Sequence, residues 1–309
     1  MESQIDFEYS KQFVRMIENL HMGKKNLPFY RKYIISHLGG AGSRYRRFIL
    51  QLLPEIIYRC GELKGKRILD FGCGTGSTTV ALANAGQEVF AYDIDDESLK
   101  ICARRIHEHG LSNKVKFLRG DFGKVRNDIG LFDLILMNGV IEHIPKSIKG
   151  LRRRVLREVF RTLQERGFLY INETPNRLFP CDLHTTKLWW LPWTCPGSVW
   201  AYNRAIRKKR HTDVTNTDKQ SPGPLGLEER GVWGATYFEI IGYFSGLSFK
   251  VMNNREGYDR HIDYQKIQKA SVKRAMFEAT VYYSATKWFG VPITAFSPSI
   301  SHLVIQKTH

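Results

Sequence analysis

Short apolar runs alternate with amphipathic stretches through the middle of the chain. Residues 68–70, 88–93, 115–119, 132–137 and 167–172 read as strands. Between them, 78–83, 98–109 and 147–163 read as helices. Leu99, Cys102 and Ile106 form the inward stripe of the second, which Gly110 should cap. Ile148, Leu151, Val155, Leu156, Val159, Phe160 and Leu163 form that of the third, with Arg152, Arg153, Arg154, Arg157 and Arg161 outward. The fourth strand is apolar throughout and so buried on both faces. Strand–helix alternation of this kind predicts an α/β fold with a mostly parallel sheet.

Residues 1–60 read as a helical cap with breaks. Phe13, Met16, Ile17 and Leu20 share a face, and Tyr45, Phe48, Ile49, Leu52, Leu53, Ile56 and Ile57 make a second stripe. Pro54 should kink or restart that helix, and Gly39-Gly40-Ala41-Gly42-Ser43 reads as a joint. The rhythm also breaks at 173–235, which holds five of the six tryptophans, with Trp189, Trp190, Trp193 and Trp200 close together. This stretch is expected to be a lid and substrate element, with a loop at 212–226. Beyond it, 237–244 reads as a helix, 249–252 as a strand, 264–288 as a helical insert and 300–305 as a last strand. The chain thus divides into a cap (1–60), a core (61–172), the tryptophan-rich insert (173–235) and a carboxyl-terminal part (236–309).

The first strand leads into the candidate chemistry. Asp70 ends it, and Gly72, Gly74 and Gly76 follow at alternate positions before a helix start. Glycines there let the backbone take positive φ and approach a ligand closely, and the helix start offers free N–H groups. The pattern D-x-G-x-G-x-G departs from the dinucleotide fingerprint, because Ser77 stands where that has its third glycine. Asp70 suits a cationic group, such as an α-amino group, better than a pyrophosphate. Asp93 ends the second strand 17 residues after Gly76, where a carboxylate accepts hydrogen bonds from ribose hydroxyls.

The stretch 67–79 resembles motif I of the class I S-adenosylmethionine-dependent methyltransferases. Asn138-Gly139-Val140-Ile141-Glu142-His143-Ile144 is similar to the V-[IL]-E-H-[VI] signature of the ubiquinone-biosynthesis-type O-methyltransferases. The resemblance covers roughly residues 65–172. It implies a Rossmann-like sheet of seven strands with helices on both faces and the last strand antiparallel beside the fifth. It implies S-adenosyl-L-methionine as cofactor, held by Asp70, Gly72, Cys73, Gly74, Gly76, Asp93, Ile94, Asp121, Phe122 and Asn138. Asp121 would meet the adenine amino group, Phe122 would pack on the base, and one of Arg44, Arg46 or Arg47 would reach the methionine carboxylate.

His143 is the candidate general base, since it follows the fourth strand and titrates near neutrality. Glu142 would orient it, and His184 is a second base carried by the lid. Asp182 and His184, with Glu142 and His143, also make a set of hard metal ligands; the base reading is preferred and no metal is assigned. The five cysteines contain no C-x-x-C pair, against a disulfide framework or cysteine zinc site.

The net charge of +17 and pI near 9.7 favour acidic partners. The expected function is methylation of a hydroxyl on a small, lipid-linked or glycan-linked acceptor, with contact to an anionic membrane as a further partner. RNA methylation is the second reading; the Asn-Pro-Pro-Tyr type motif of base amino-group enzymes is absent after the fourth strand. A cofactor-binding scaffold without catalysis is the third. No run reaches the ~18–20 apolar residues that span a bilayer, so the expected location is the cytoplasm, peripheral to a membrane at most.

Overall fold

The computed structural model describes residues 7–21, 30–39, 43–85, 88–210, 221–252, 280, 284 and 287–309. A sheet of seven strands organises it: β1 (Arg67–Phe71), β2 (Glu88–Asp93), β3 (Val115–Arg119), β4 (Phe132–Asn138), β5 (Leu163–Asn172), β7 (Phe249–Val251) and β9 (Leu303–Lys307). Their order is β3-β2-β1-β4-β5-β9-β7. The first five pair in parallel, and β9 runs antiparallel between β5 and β7. Strand order reverses between β1 and β4, which opens a crevice at the carboxyl edge. A two-stranded ribbon of β6 (Thr174–Pro175) and β8 (Ser299–Ile300) lies apart from the sheet.

Strand alternation splits the core in two. Leu69, Ile135 and Met137 pack on one face with Leu156 and Phe160 of α8 (Leu151–Arg161). Ile68, Leu134 and Leu136 pack on the other with Val80 of α5 (Ser77–Asn84) and Cys102 and Ile106 of α6 (Asp96–Glu108). Both sides of β4 are therefore covered, as its unbroken apolar run requires.

The cap contains α1 (Lys11–Leu20), α2 (Tyr30–Leu38), α3 (Arg44–Arg47) and α4 (Leu53–Cys60). Pro54 does not break the chain between α3 and α4. A π-helical turn, Phe48–Leu52, joins them, with the Leu53 N–H donating to the Phe48 carbonyl; the wider turn accommodates the missing proline donor.

Several expectations change. The third helix starts at Leu151, because Gly150 sits at φ +76 and interrupts any earlier turn. Ile148 is left 50% exposed, and Leu163 opens β5 instead of closing the helix. Arg152, assigned outward, is 3% exposed. It stands four residues before Leu156 and seven before Val159, so helical geometry carries it inward whatever its charge. The last strand divides at His302, where φ of +55 separates β8 from β9. Within the expected loop at 212–226, Gly223 opens a helix, α10 (Gly223–Glu229); residues 212–220 lie outside the described residues. So does most of the helical insert expected at 264–288, and residues 40–42 of the glycine joint.

The insert carries α9 (Val199–Arg207). It closes a small core of its own from Leu191, Ala201, Ala205, Leu227, Val232 and Trp233. Trp233 is sealed, whereas Trp189, Trp190, Trp193 and Trp200 are each more than half exposed.

Candidate active site

The glycine turn between β1 and α5 is pinned to the next strand. The backbone N–H groups of Gly72 and Cys73 both donate to the Tyr92 carbonyl, at 2.8 and 2.9 Å. A Cβ on Gly72 would fall 2.6 Å from Val140, and one on Gly76 would fall 2.6 Å from the Cys102 sulfur. Both therefore stand where backbone approaches neighbouring side chains. Gly74 is different: at φ +51 a Cβ there would meet nothing within 4 Å, so open space lies over the middle of the turn.

Asp70 does not face that space. It is 1% exposed, and its carboxylate accepts a 2.7 Å bond from the Thr79 hydroxyl. Burial raises its pKa from 3.8 to about 6. The contact with an α-amino group expected of it is corrected to a hold on α5 from beneath the turn. Cys73 is also buried; a hydrogen bond with the Cys102 thiol and burial push its pKa well above the ordinary value.

Asp93 closes β2 beside the turn. Its carboxylate accepts from the Gly74 N–H at 2.7 Å and from the Asp95 N–H at 2.9 Å. Two backbone donors fix its orientation while lone pairs remain for hydroxyl groups. Ile94 follows it, 79% exposed. Asp121 is exposed and caps α7 (Phe122–Val125), accepting from the Gly123 N–H at 2.8 Å. Phe122 is not placed to receive a base: it is 5% exposed, and its ring meets Phe71 and Tyr92 edge-on. The open turn at Gly74, the oriented Asp93 and the apolar Ile94 fit an adenosyl group.

Across the crevice, β4 ends at Asn138, which accepts a 2.7 Å bond from the Asn172 amide at the end of β5. The chain then makes a 3₁₀ turn, Ile141–His143. Glu142 in that turn is completely buried, and neither carboxylate oxygen has a hydrogen-bond partner among the described residues. Burial pushes its pKa upward, opposed chiefly by His143. His143 is exposed, and its Nδ1 lies 2.6 Å from the Glu229 carbonyl. His184 arrives from the insert, its ring 5.6 Å from that of His143 and its Nε2 3.9 Å from Glu142 Oε1. Although 38% of the His184 side chain is exposed, desolvation and then His143 push its pKa down to about 4. These three residues, with Asn138 and Gly139, line a cavity of about 850 Å³ that Arg44 and Arg47 of the cap also reach. Arg47 pairs with Glu173 at 3.0 Å on the rim.

Asp182 does not join the histidines. It is 2% exposed, and its carboxylate is occupied by the N–H groups of His184, Thr185 and Thr186 and by the Thr186 hydroxyl. It shapes the turn that presents His184.

Two buried arginines were not anticipated. Arg105 is fully buried and donates to the Thr75 carbonyl of the glycine turn, the Tyr9 hydroxyl and the His37 carbonyl. It therefore fastens the cap onto the turn. Arg152 donates to the carbonyls of Ile144, Glu142, Trp233 and Gly234, fastening the insert to the loop after β4. Buried Glu228 reinforces this by accepting from the Lys146 and Ser147 backbone and the Ser147 hydroxyl. The signal was present for Arg105, which follows Cys102 by three residues on the inward face of α6.

Residues 68–167 match the family model described as "Methyltransferase domain". The magnesium-protoporphyrin O-methyltransferase of Rhodobacter capsulatus is 33% identical over 145 residues, covering 44% of this chain and 59% of that protein. The ubiquinone biosynthesis O-methyltransferase of Bordetella avium is 34% identical over 86 residues (28% and 35%). The rRNA N(6)-adenosine-methyltransferase metl-5 of Caenorhabditis elegans is 35% identical over 90 residues (28% and 42%). The chain thus spans between about a third and three fifths of the length of these relatives. All three matches carry methyl transfer in their names, and the family model falls on the segment that builds the glycine turn, Asp93 and the end of β4. Residues 68–167 are accordingly a methyltransferase domain by that match, and S-adenosylmethionine is the cofactor the match implies.

Proposed function

We propose that the chain transfers a methyl group from S-adenosylmethionine to a hydroxyl of a small, lipid-linked or glycan-linked acceptor. The observation that carries this is one cavity of about 850 Å³, lined by Asn138 and Gly139 at the end of β4 together with Glu142, His143 and His184. When bound, S-adenosylmethionine supplies a methyl group already activated as a sulfonium. Asp93 orients the ribose, Ile94 covers the adenine edge, and the Gly74 turn admits the backbone approach. Holding two reactants in line is worth roughly 7–11 kcal/mol. His143 donates its Nδ1 hydrogen to the Glu229 carbonyl, so its Nε2 is left to receive the hydroxyl proton. The insert forms one wall of the cavity through Asp182, His184 and Arg230.

The outer side of the insert supports contact with an anionic membrane. Trp189, Trp190, Trp193 and Trp200 are exposed together with Val199, and Arg204 lies over the Trp200 ring at 5.1 Å. Exposed tryptophan beside arginine suits a headgroup boundary. The described residues hold no helix long and apolar enough to cross a membrane.

The test is transfer of a labelled methyl group from S-adenosylmethionine into a lipid extract, a polar small-molecule extract and total RNA. Base-stable label in either extract fits an ether product and supports the proposal. Label only in RNA moves the assignment to the second reading, which the charge of +17 favours; binding should then fall steeply with salt. Calorimetric titration with S-adenosylhomocysteine and with NAD, on the wild type and Asp93→Ala, tests the cofactor separately. Binding of the first alone, lost in the variant, is expected.

A further inference from the structure

We propose that Lys187 and Arg210 of the insert bind a phosphate group in the cavity, and that the methyl acceptor is accordingly a phosphate ester. Both residues line the cavity and both are exposed. Neither has an ion-pair partner among the described residues. Other cations on the cavity wall are engaged by the chain. Arg47 pairs with Glu173 at 3.0 Å, and Arg177 lies 3.6 Å from Glu239 and donates to the Pro192 carbonyl at 3.0 Å.

Backbone geometry sets both cations in place. Lys187 lies in a short loop closed by the Cys181–Trp189 bridge and by the Asp182 N–H, which donates to the Leu188 carbonyl at 2.9 Å. Its φ is +58, a left-handed conformation that a non-glycine residue seldom adopts. Residues held in this way cluster at ligand clamps. Arg210 follows α9, where the Lys209 N–H donates to the Ile206 carbonyl at 2.8 Å and the Arg210 N–H to the Ala205 carbonyl at 2.9 Å. With Lys209 at φ +53 this is a Schellman end without the usual glycine. Ala201 and Ala205 anchor the helix in the insert's own core. Two left-handed turns of one packed element thus hold two cations at one cavity.

The acids on the same wall are bonded elsewhere. Asp182 accepts from the N–H groups of His184, Thr185 and Thr186 and from the Thr186 hydroxyl, and Glu229 accepts from the Ser221 N–H and hydroxyl, both at 2.9 Å. Desolvation and then His143 lower the His184 pKa to about 4, and Lys187 adds to this. Its ammonium therefore bears on the same corner of the cavity as that ring. A phosphate monoester carries about −1.5 to −2 charge near pH 7 and three acceptor oxygens. One cation would answer a carboxylate; two call for the dianion. The arginine fork takes two phosphate oxygens, and lysine adds a point charge. An acceptor held by its phosphate at this wall can extend its hydroxyl to His143, which lines the same cavity. Naming the acceptor rests on the proposed methylation of a hydroxyl; the binding of phosphate does not.

The full chain, saturated with S-adenosylhomocysteine, would be titrated calorimetrically with sodium phosphate at constant ionic strength. One site is expected. Lys187→Gln and Arg210→Gln should each weaken it by ~10-fold or more, the loss of a charged hydrogen bond. Arg207→Gln should not, because Arg207 is a cation of the same helix that does not line the cavity. S-adenosylhomocysteine affinity, measured on each variant, reports folding and the cofactor half separately. Absence of phosphate binding in the wild type would overturn the proposal, as would binding that persists in a folded variant lacking both cations. The acceptor is tested on the labelled products of the extracts. Label retained by an anion exchanger and released after alkaline phosphatase is expected, in the chloroform layer for a lipid phosphate and in the aqueous layer for a soluble ester. A neutral labelled product, or label in RNA alone, would overturn the phosphate-ester acceptor while methyl transfer stands. Absence of label from every fraction would fail the methyl-transfer reading instead, and the titration would then decide the phosphate wall by itself.

Discussion

The two sides of the crevice treat buried charge in opposite ways. On the cofactor side, Asp70 is bonded to Thr79 and Asp93 to two backbone N–H groups. These carboxylates are finished by their own chain, and they hold the turn rigid before any ligand arrives. On the acceptor side, Glu142 is as deeply buried and has no such partner among the described residues. Each side is locked from behind by one buried arginine: Arg105 ties the cap to the glycine turn, and Arg152 ties the insert to the loop after β4. The arginine frames are alike, whereas the carboxylates differ. A cradle whose carboxylates are bonded to backbone and hydroxyl donors faces a buried carboxylate without such bonds among the described residues.

Removing the arginines tests that likeness with the largest effects. Each donates to several buried acceptors, and a charged hydrogen bond contributes about 1.5–3 kcal/mol. Arg152→Met and Arg105→Met should each destabilise the chain by about 3 kcal/mol or more in urea unfolding. Their binding defects should separate. Arg105→Met should weaken S-adenosylhomocysteine binding, and Arg152→Met should spare it. Equal losses of that affinity in both variants would mean that the two sides form one cooperative frame.

Asp70 gives the next effect, through pH. Its folded pKa of about 6 stands above the ordinary 3.8, so the folded state holds the proton more tightly than the unfolded one. The stability Asp70 provides is therefore full below pH 3.8 and is lost as pH rises to about 6, and it stays level beyond. A rise of that size corresponds to about 3 kcal/mol. In Asp70→Asn this fall should vanish, so the difference in urea-measured stability between pH 4 and pH 6.5 should shrink by about that amount. An unchanged difference would place the Asp70 carboxylate in a far more polar setting than its burial implies.

The cofactor side was the more legible half in sequence for the same reason that it is self-sufficient. Its function is written in local backbone: glycines at Gly72, Gly74 and Gly76, and acids at the ends of β1 and β2, where period and turn chemistry act over a few residues. β2 and β3 match their expected limits residue for residue. The acceptor side depends on contacts between distant segments. Glu142 and His143 were identified from one motif, but His184 joins them only because Asp182, Arg152 and Glu228 anchor the insert there. Asp182 seemed a ligand beside His184 until its carboxylate proved occupied by backbone. Arg152 was assigned to solvent because charge was weighed above helical phase. Phe122 was assigned to the cofactor because its place after β3 was legible and its side-chain direction was not.

Gly231 offers a smaller and more local break. Alanine there must hold φ near +87 and place a methyl carbon against Glu142 and His184. Strain and overpacking of this kind cost about 2 kcal/mol. Gly231→Ala should also push His184 away from Glu142, lowering methyl transfer while S-adenosylhomocysteine affinity holds. Unchanged transfer would show that the 229–231 segment can give way without disturbing Glu142 and His184.

The smallest expected effect sits where the two sides meet. Arg47 of the cap pairs with Glu173 at the end of β5, and the two side chains are 42% and 37% exposed. Exposed pairs of this kind contribute about 0–1 kcal/mol and are screened by salt. Arg47→Ala should therefore change stability by less than about 0.5 kcal/mol. Arg47 nevertheless lines the cavity with Asn138, Glu142 and His184, so its loss bears on ligands more than on folding. If it steadies the carboxylate end of the cofactor, S-adenosylhomocysteine affinity should fall in the variant, and more at low salt than at high. If it shapes only the acceptor mouth, that affinity should hold while turnover of the acceptor changes. The first result would extend the preorganised side out to the rim; the second would leave the rim with the Glu142 side.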